Sequence, residues 1–404
     1  MQIKVATTKF EKLRGQHIPL VIVDGIVDLS AASYLLQRFD QGHPYYTIKA
    51  EANSIKKLYE FCANNGFSLA GRFAAGEHLQ IGEIESLSAF YSARLDTGEP
   101  VGRKTYKLRW TQTTAFIRFI WNFYAGRLKD PVEIKASQAK LGTMNTSFQL
   151  HGKAPYSDGS SDMVGLDEEL KLKFLAIINP LQDNDLNPFK SEYVRWRNYC
   201  LFLTMILGGN RRGETLGLRE KDFYLSGPSG ADKYFEILKD EHREYGRKDR
   251  PAAKTKERIV ALNDGLAAIF THYITNIRSK LKNAHRSEYL FLSAIDQKPI
   301  SRQTPTDALN VIIKKYPEFE GQLGPHRLRN TYVDSLREEA LNEYETMGPI
   351  AKKAAVSQLM EQAGGWAKGS QMPDHYAKGS IQRRVSEFTL AVQAQILQGA
   401  PDNE

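Results

Sequence analysis

Apolar positions in the first third of the chain recur at helical intervals. Ile48, Ala52, Ile55, Tyr59 and Cys62 follow one another at spacings of four, three, four and three, the mark of one buried helix face. Asn64-Asn65-Gly66 predicts where that helix ends. Ile84, Leu87, Tyr91 and Leu95 predict a second helix, closed by Gly98. A third is predicted over 105–124, with Leu108, Phe116, Phe119, Ile120 and Phe123 as its apolar side. Upstream, PLVIVDGIVDL alternates apolar and polar residues around a glycine, which suits a short strand or hairpin, and 31–39 suits a first helix. The stretch 150–165 is rich in Gly, Ser, Pro and Asp and reads as a linker or long loop. Beyond it the pattern predicts helices at 168–178, 193–207, 265–281, 306–315, 326–339 and 350–362, with strands at 234–238 and 258–262. Ile381, Val385, Phe388, Val392 and Ile396 form a last apolar stripe. The expected class is mainly α with a small antiparallel β-sheet.

Composition narrows the picture. The chain has 404 residues, 41% hydrophobic and 25% charged, enough for two or three ordinary folded domains. A formal net charge of +8 favours a polyanionic partner, although charge alone is a weak signal. The two cysteines, Cys62 and Cys200, both sit in apolar helical patterns and read as buried thiols of a reducing interior, which excludes a disulfide scaffold or a cysteine zinc site. Lys4, Lys9, Lys12 and Arg14 interrupt any secretory-type apolar run, and the longest apolar stretch, 200–207, is far too short for a membrane span. A soluble, cytoplasmic protein with no membrane partner is expected.

Four separated segments carry unusual polar groups. In GGNRRGETLGL, 208–218, Glu214 follows Arg211 by three residues, so the two can meet on one helical turn. The pair is either a helix-capping ion pair or an arginine held to point its planar fork at a phosphate. The loop entering strand 258–262 gathers Lys239, Arg243, Arg247, Lys248, Arg250, Lys254, Lys256 and Arg258 within twenty residues, which suits a solvated hairpin or one that reaches DNA. In PHRLRNTYVDSL, 325–336, Pro325 is a helix starter, and His326 and Arg329 share a face near a helix N-terminus, a favourable place for an oxyanion. In GGWAKGSQMPDHYAKGS, 364–380, a Gly pair and Trp366 precede Tyr376. Each segment alone has a bland reading. Earlier in the chain, Arg103, Lys104, Lys107 and Arg109 are interleaved with Tyr106 and Trp110. They read either as a phosphate grip or as a solvated face with two aromatics turned inward.

The order of these segments resembles the catalytic domain of tyrosine recombinases, the phage integrase type. The family's Gly-Leu-Arg-x-x-Glu-Leu motif is matched by Gly209-Asn210-Arg211-Arg212-Gly213-Glu214-Thr215, and its hairpin lysine by Lys254-Thr255, with Lys256 as the fallback. Its His-x-Leu-Arg-His-Thr box is matched by His326-Arg327-Leu328-Arg329-Asn330-Thr331, its Gly-His/Trp box by Gly364-Gly365-Trp366, and its nucleophile by Tyr376. Asn210 and Thr215 stand where leucine is common, and Asn330 where histidine is frequent.

The resemblance implies a helical core-binding domain at 44–135 and a mixed α/β catalytic domain at 165–380. A 1–43 appendage for arm binding or assembly, a 136–164 linker, and a 381–404 helix and tail that docks protomers complete the expected organisation. It implies a site-specific recombinase or integrase of a mobile element that cuts and rejoins DNA through a 3′-phosphotyrosine. Tyr376 would be the nucleophile, Arg211 and Arg329 the phosphate clamp supported by Glu214, and Trp366 a further donor. An indole can only donate, which leaves His326 as the base, and Lys254 would protonate the leaving 5′-hydroxyl. A covalent intermediate conserves the bond energy, so no cofactor or metal is expected. Expected partners are double-stranded DNA, contacted by Arg103, Lys104, Lys107, Arg109, Arg247, Lys248 and Lys256, three further copies in a tetramer, and accessory DNA-bending proteins. The alternatives are a type IB topoisomerase-like enzyme, which relaxes DNA without recombinant products, and a non-catalytic DNA-binding protein.

Overall fold

The computed structural model describes residues 1–13, 15–94, 97–153, 164–180, 185–226, 233–238 and 256–370. They fall into two compact units, one within 1–153 and the other within 164–370. Among the described residues no helix is long and apolar enough to cross a membrane.

The first unit opens with β1 (Ile3–Phe10), which pairs antiparallel with β2 (Gln16–Val23), Val5 opposite Val21. Asp24 and Gly25, both at positive φ, turn β2 into β3 (Ile26–Val27), the Asp-Gly geometry that matches strand twist in a tight hairpin. The expected hairpin is there, with a third strand, β1, that the alternation did not indicate. α1 (Leu29–Asp40) starts on the Asp28 side-chain cap. α2 (Tyr45–Asn64) buries Ile48, Ala52, Ile55, Leu58 and Cys62. Arg38 of α1 is ion-paired at 2.9 Å with buried Glu51 of α2. α3 (Leu69–Ala74), α4 (Ile81–Ser92), α5 (Arg103–Ala125) and α6 (Pro131–Leu150) complete the unit. Val21, Leu35, Ile55, Leu87, Phe116, Trp121 and Phe148 belong to one core, so the N-terminal strands pack with the helices.

Two details differ from the pattern reading. On α5, Leu108 and Phe123 are about half exposed, and the buried face joins the expected Phe116 and Ile120 with Tyr106, Trp110, Thr113, Ile117 and Trp121. Thr113 is tolerated inside because its hydroxyl donates to the Tyr91 hydroxyl at 2.9 Å. α6 occupies much of the stretch expected as linker, 136–150. Its buried positions include Ser137 and Ser147 beside Met144 and Phe148, so its inward face carries little apolar signal. The glycine- and serine-rich segment 154–163 lies outside the described residues.

In the second unit, α7 (Glu168–Ile178) precedes α8 (Glu192–Ile206), which is buried continuously from Trp196 to Ile206. A helix buried on every side belongs in the middle of a domain, and its polar members Arg197 and Asn198 are hydrogen-bonded to each other. α9 (Arg212–Gly217) follows, then a small antiparallel sheet of β4 (Phe223–Tyr224), β5 (Lys233–Ile237) and β6 (Arg258–Leu262) in that spatial order. Phe235 stands opposite both Phe223 and Val260. α10 (Asp264–His272) is regular only as far as His272. The helix expected over 265–281 continues from it without interruption, as a π-turn at Tyr273–Ile277 and a tight 3-10 turn at Arg278–Lys280. At its end the buried Arg278 donates to the carbonyls of Ala284, Ser287, Tyr289 and Leu290, which holds the following loop against the last turn. α11 (Thr304–Lys315), α12 (Pro325–Glu343) and α13 (Pro349–Gly364) close the unit. The segment ahead of α7 is tied to α12: Gly165 N donates to Asp334 Oδ2 and Leu166 N to Thr331 Oγ1.

Candidate active site around Glu214

The turn between α8 and α9 is built on Gly209. Its φ is +63°, and a Cβ there would come within 2.3 Å of the Tyr332 ring on α12, so only glycine lets the chain pass so close. The next residue, Asn210, is fully buried. Arg211 then caps α9, and the Glu214 carboxylate, at the third helical position, reaches back to accept from Arg211 N at 2.9 Å.

Glu214 receives more than its neighbour. Its Oε2 accepts from Arg258 Nη2 of β6 at 2.7 Å and lies 3.7 Å from Arg329 Nη1 of α12, while Arg211 Nη1 is 3.4 Å from its Oε1. Three arginines from distant parts of the chain meet one carboxylate whose side chain is 0% exposed. Burial alone would raise its pKa, but the Arg258 charge and hydrogen bond, the Arg329 charge and the Arg211 backbone N–H outweigh burial and pull it to about 2. Glu214 is therefore an anion throughout the neutral range, and a charge-assisted anchor.

Arg329 is fully buried. It donates to the Gly209 carbonyl through Nη1 and to the Gly364 carbonyl through Nη2. Its guanidinium carbon is 5.5 Å from the centre of the Trp366 ring, within cation–π range. Trp366 is itself buried with Val333, Ala340, Val356 and Met360. A Cβ on Gly364 would lie 2.6 Å from the indole, so this glycine too is required by close approach. Gly365, at φ 64°, ends α13 in the left-handed conformation. Its carbonyl accepts from Lys256 N at 2.9 Å, which joins the start of β6 to the tryptophan turn.

The structure thus brings Arg211, Glu214, Arg329 and Trp366 into one neighbourhood. Arg211 keeps its side chain 21% exposed while anchored to Glu214, a cation held at the surface in a fixed pose. His326 stands exposed in the first turn of α12, one turn ahead of Arg329. Burial raises the pKa of the Tyr332 phenol on the same helix. Tyr376, Lys254, Arg247 and Lys248 lie outside the described residues, as does the stripe 381–396. Lys256 is exposed. In the first unit Arg103, Lys104 and Lys107 are exposed and Arg109 is half-buried. Tyr106 and Trp110 point inward: the Tyr106 hydroxyl donates to the His151 carbonyl at 2.6 Å, and Trp110 Nε1 to the Phe148 carbonyl at 2.9 Å.

In the sequence Arg258 stands only among the cations of the basic hairpin and is not placed beside Glu214, although a signal was present. Along β6 the exposed Ile259 and Ala261 alternate with Arg258, Val260 and Leu262, so period-two alternation puts an arginine on the inward face. An inward cation needs an anion or a set of hydrogen-bond acceptors to meet it.

Residues 182–344 match the model of the phage integrase family. That segment, which holds Arg211, Glu214, Arg258 and Arg329, belongs to the phage integrase family, the tyrosine recombinases. No curated protein matches the chain in sequence. Among solved structures, a XerH site-specific recombinase bound to palindromic difH substrate in a post-cleavage complex is 16% identical, with 90% of this chain and 89% of that one covered and a TM-score of 0.49. A lambda integrase dimer bound to a COC′ core site is 15% identical, covering 87% of this chain and 76% of that one, with a TM-score of 0.45. An integrase from mycobacterium phage Brujita is 11% identical, covering 86% and 97%, with a TM-score of 0.27.

Proposed function

We propose that this protein is a site-specific DNA recombinase that cuts and rejoins duplex DNA through a covalent 3′-phosphotyrosine, integrating or excising a mobile element. The observation that supports this reading is the Glu214 cluster: within a phage-integrase segment, one buried carboxylate anchors the two arginines that the family motifs set apart, Arg211 and Arg329. Tyr376 Oη attacks the scissile phosphorus, the 5′-oxygen leaves, and the phosphodiester energy is kept in the new P–O bond. The Arg211 guanidinium faces the nonbridging oxygens, where charge builds in the transition state. Arg329, His326 and the Trp366 indole complete the oxyanion surround, His326 takes the Tyr376 proton, and Lys254 supplies one to the leaving oxygen. The working form is a tetramer on DNA, assisted by accessory DNA-bending proteins, in the cytoplasm.

The test is covalent capture. The full chain is incubated with a pool of duplexes of randomised core sequence, each carrying one nick that traps a cleaved end. Denaturing electrophoresis then separates protein–DNA adducts. Wild type is expected to form an adduct, and Tyr376→Phe none. An adduct from Tyr376→Phe, or no adduct from wild type, overturns the reading.

A further inference from the structure

We infer that Arg258 is a positioning residue for strand cleavage: acting through the Glu214 carboxylate, it sets the pose in which Arg211 and Arg329 meet the phosphate. The inference rests on the recombinase reading and extends it to a residue outside the family motifs quoted above.

The geometry ranks the three arginines. Arg258 makes the closest approach to the carboxylate, 2.7 Å, against 3.4 Å for Arg211 and 3.7 Å for Arg329. Its side chain is 5% exposed, so that contact is made away from water, where a charged pair is stronger and a missing partner more costly. The oxygen that Arg258 holds, Oε2, is also the one that accepts from Arg211 N and faces Arg329. Moving that oxygen therefore moves the anchor of both. Arg258 is in turn held at its own end. It opens β6, and two residues earlier Lys256 N donates to the Gly365 carbonyl of the turn that carries Trp366. Among the described residues, the charged groups that reach Glu214 from the elements around it include Arg211 at the α9 cap, Arg258 from β6 and Arg329 from α12. Without Arg258, the carboxylate loses the partner that does most to hold its charge, and burial would favour its protonated form. A protonated Glu214 offers one oxygen fewer to the Arg211 cap and side chain.

A positioning role makes a signed prediction. In wild type Glu214 keeps its charge down to about pH 2, so it does not set the acid limit of cleavage. In Arg258→Met the carboxyl pKa rises, and cleavage is lost as pH falls through that higher value. Single-turnover adduct formation on the nicked duplex pool is measured across pH, with DNA binding measured in parallel. Arg258→Met is expected to form adduct at least ten-fold more slowly at neutral pH, with DNA affinity within about three-fold. Its acid limb should move to higher pH, and Arg258→Lys should recover part of both losses. Should Arg258→Met fail to fold, Arg258→Lys carries the test, because it keeps the charge but not the planar fork, and a smaller shift of the same sign is expected. Adduct formation within two-fold of wild type across pH overturns the inference while the recombinase reading stands. A loss equal at every pH, not relieved by lysine, reduces Arg258 to a structural ion pair and also overturns it. Failure of wild type to form any adduct defeats both.

Discussion

Asn210 stands where leucine is common in the motif that the 208–218 segment resembles. Its side chain is fully buried, and neither its amide oxygen nor its nitrogen finds a hydrogen-bond partner among the described residues. A buried polar group left in that state costs about 1–3 kcal/mol. Nearby, the equally buried Thr204 and Thr215 satisfy one another, hydroxyl to hydroxyl, at 2.9 Å. The two cases make opposite predictions. Asn210→Ala removes an amide that holds nothing and leaves only a small void, so stability should stay level or rise by about 1 kcal/mol, roughly 2–4 °C in Tm. Thr204→Ala strands the Thr215 hydroxyl and should cost about 1–2 kcal/mol. Urea titration followed by tryptophan fluorescence distinguishes them, and a loss above about 1 kcal/mol in Asn210→Ala would contradict the account. At this scale the sequence showed Arg211 and Glu214 three apart, because helical spacing is local. It did not show that Arg258 shares their carboxylate, because that contact spans 44 positions and depends on strand register.

Turns between elements explain why the cluster exists at all. α8 must stop and α9 must start within a few residues while the chain passes against α12, and Gly209 makes this geometrically feasible. Gly209→Ala would place a Cβ 2.3 Å from Tyr332 at a φ of +63°. Left-handed strain and overpacking together are expected to destabilise by about 2–4 kcal/mol. Because the Gly209 carbonyl accepts from Arg329, adduct formation should fall by more than ten-fold even well below the melting transition. Thermal melts and adduct yields on one preparation check both parts, and a variant that melts and cleaves like wild type would disprove the requirement. Elements with strong apolar periods were legible: α7 occupies 168–178 as read, and β6 occupies 258–262. α6 was not, since serines make up part of its buried face, although Asp130 and Pro131 supply a cap and a first-turn proline. The helix read at 265–281 runs through to 280, but its change from α to π to 3-10 turns after His272 has no counterpart in the apolar pattern.

At the scale of the whole chain, a net charge of +8 is informative only through where the cations stand. The first turns of α5 present Arg103, Lys104 and Lys107 to solvent with Arg109 half-buried, while Tyr106 and Trp110 are committed to the core. The aromatics are thus removed from any role in stacking on DNA. What remains is a compact row of charge suited to backbone phosphates, which carries affinity without sequence information. Such contacts release counterions, and log affinity falls against log salt with a slope of about −0.9 per phosphate neutralised. Replacing all four side chains with glutamine should make the slope shallower by roughly 3–4, as measured by fluorescence anisotropy with duplex DNA over a salt series. Stability should change little, because the substituted heads lie at the surface and the buried face of α5 is untouched. If the slope is unchanged, the row is a solvated helix face and DNA lies elsewhere on the molecule. If instead the slope and the sequence preference of captured duplexes change together, these side chains also reach base edges, and the phosphate-only role would be too narrow.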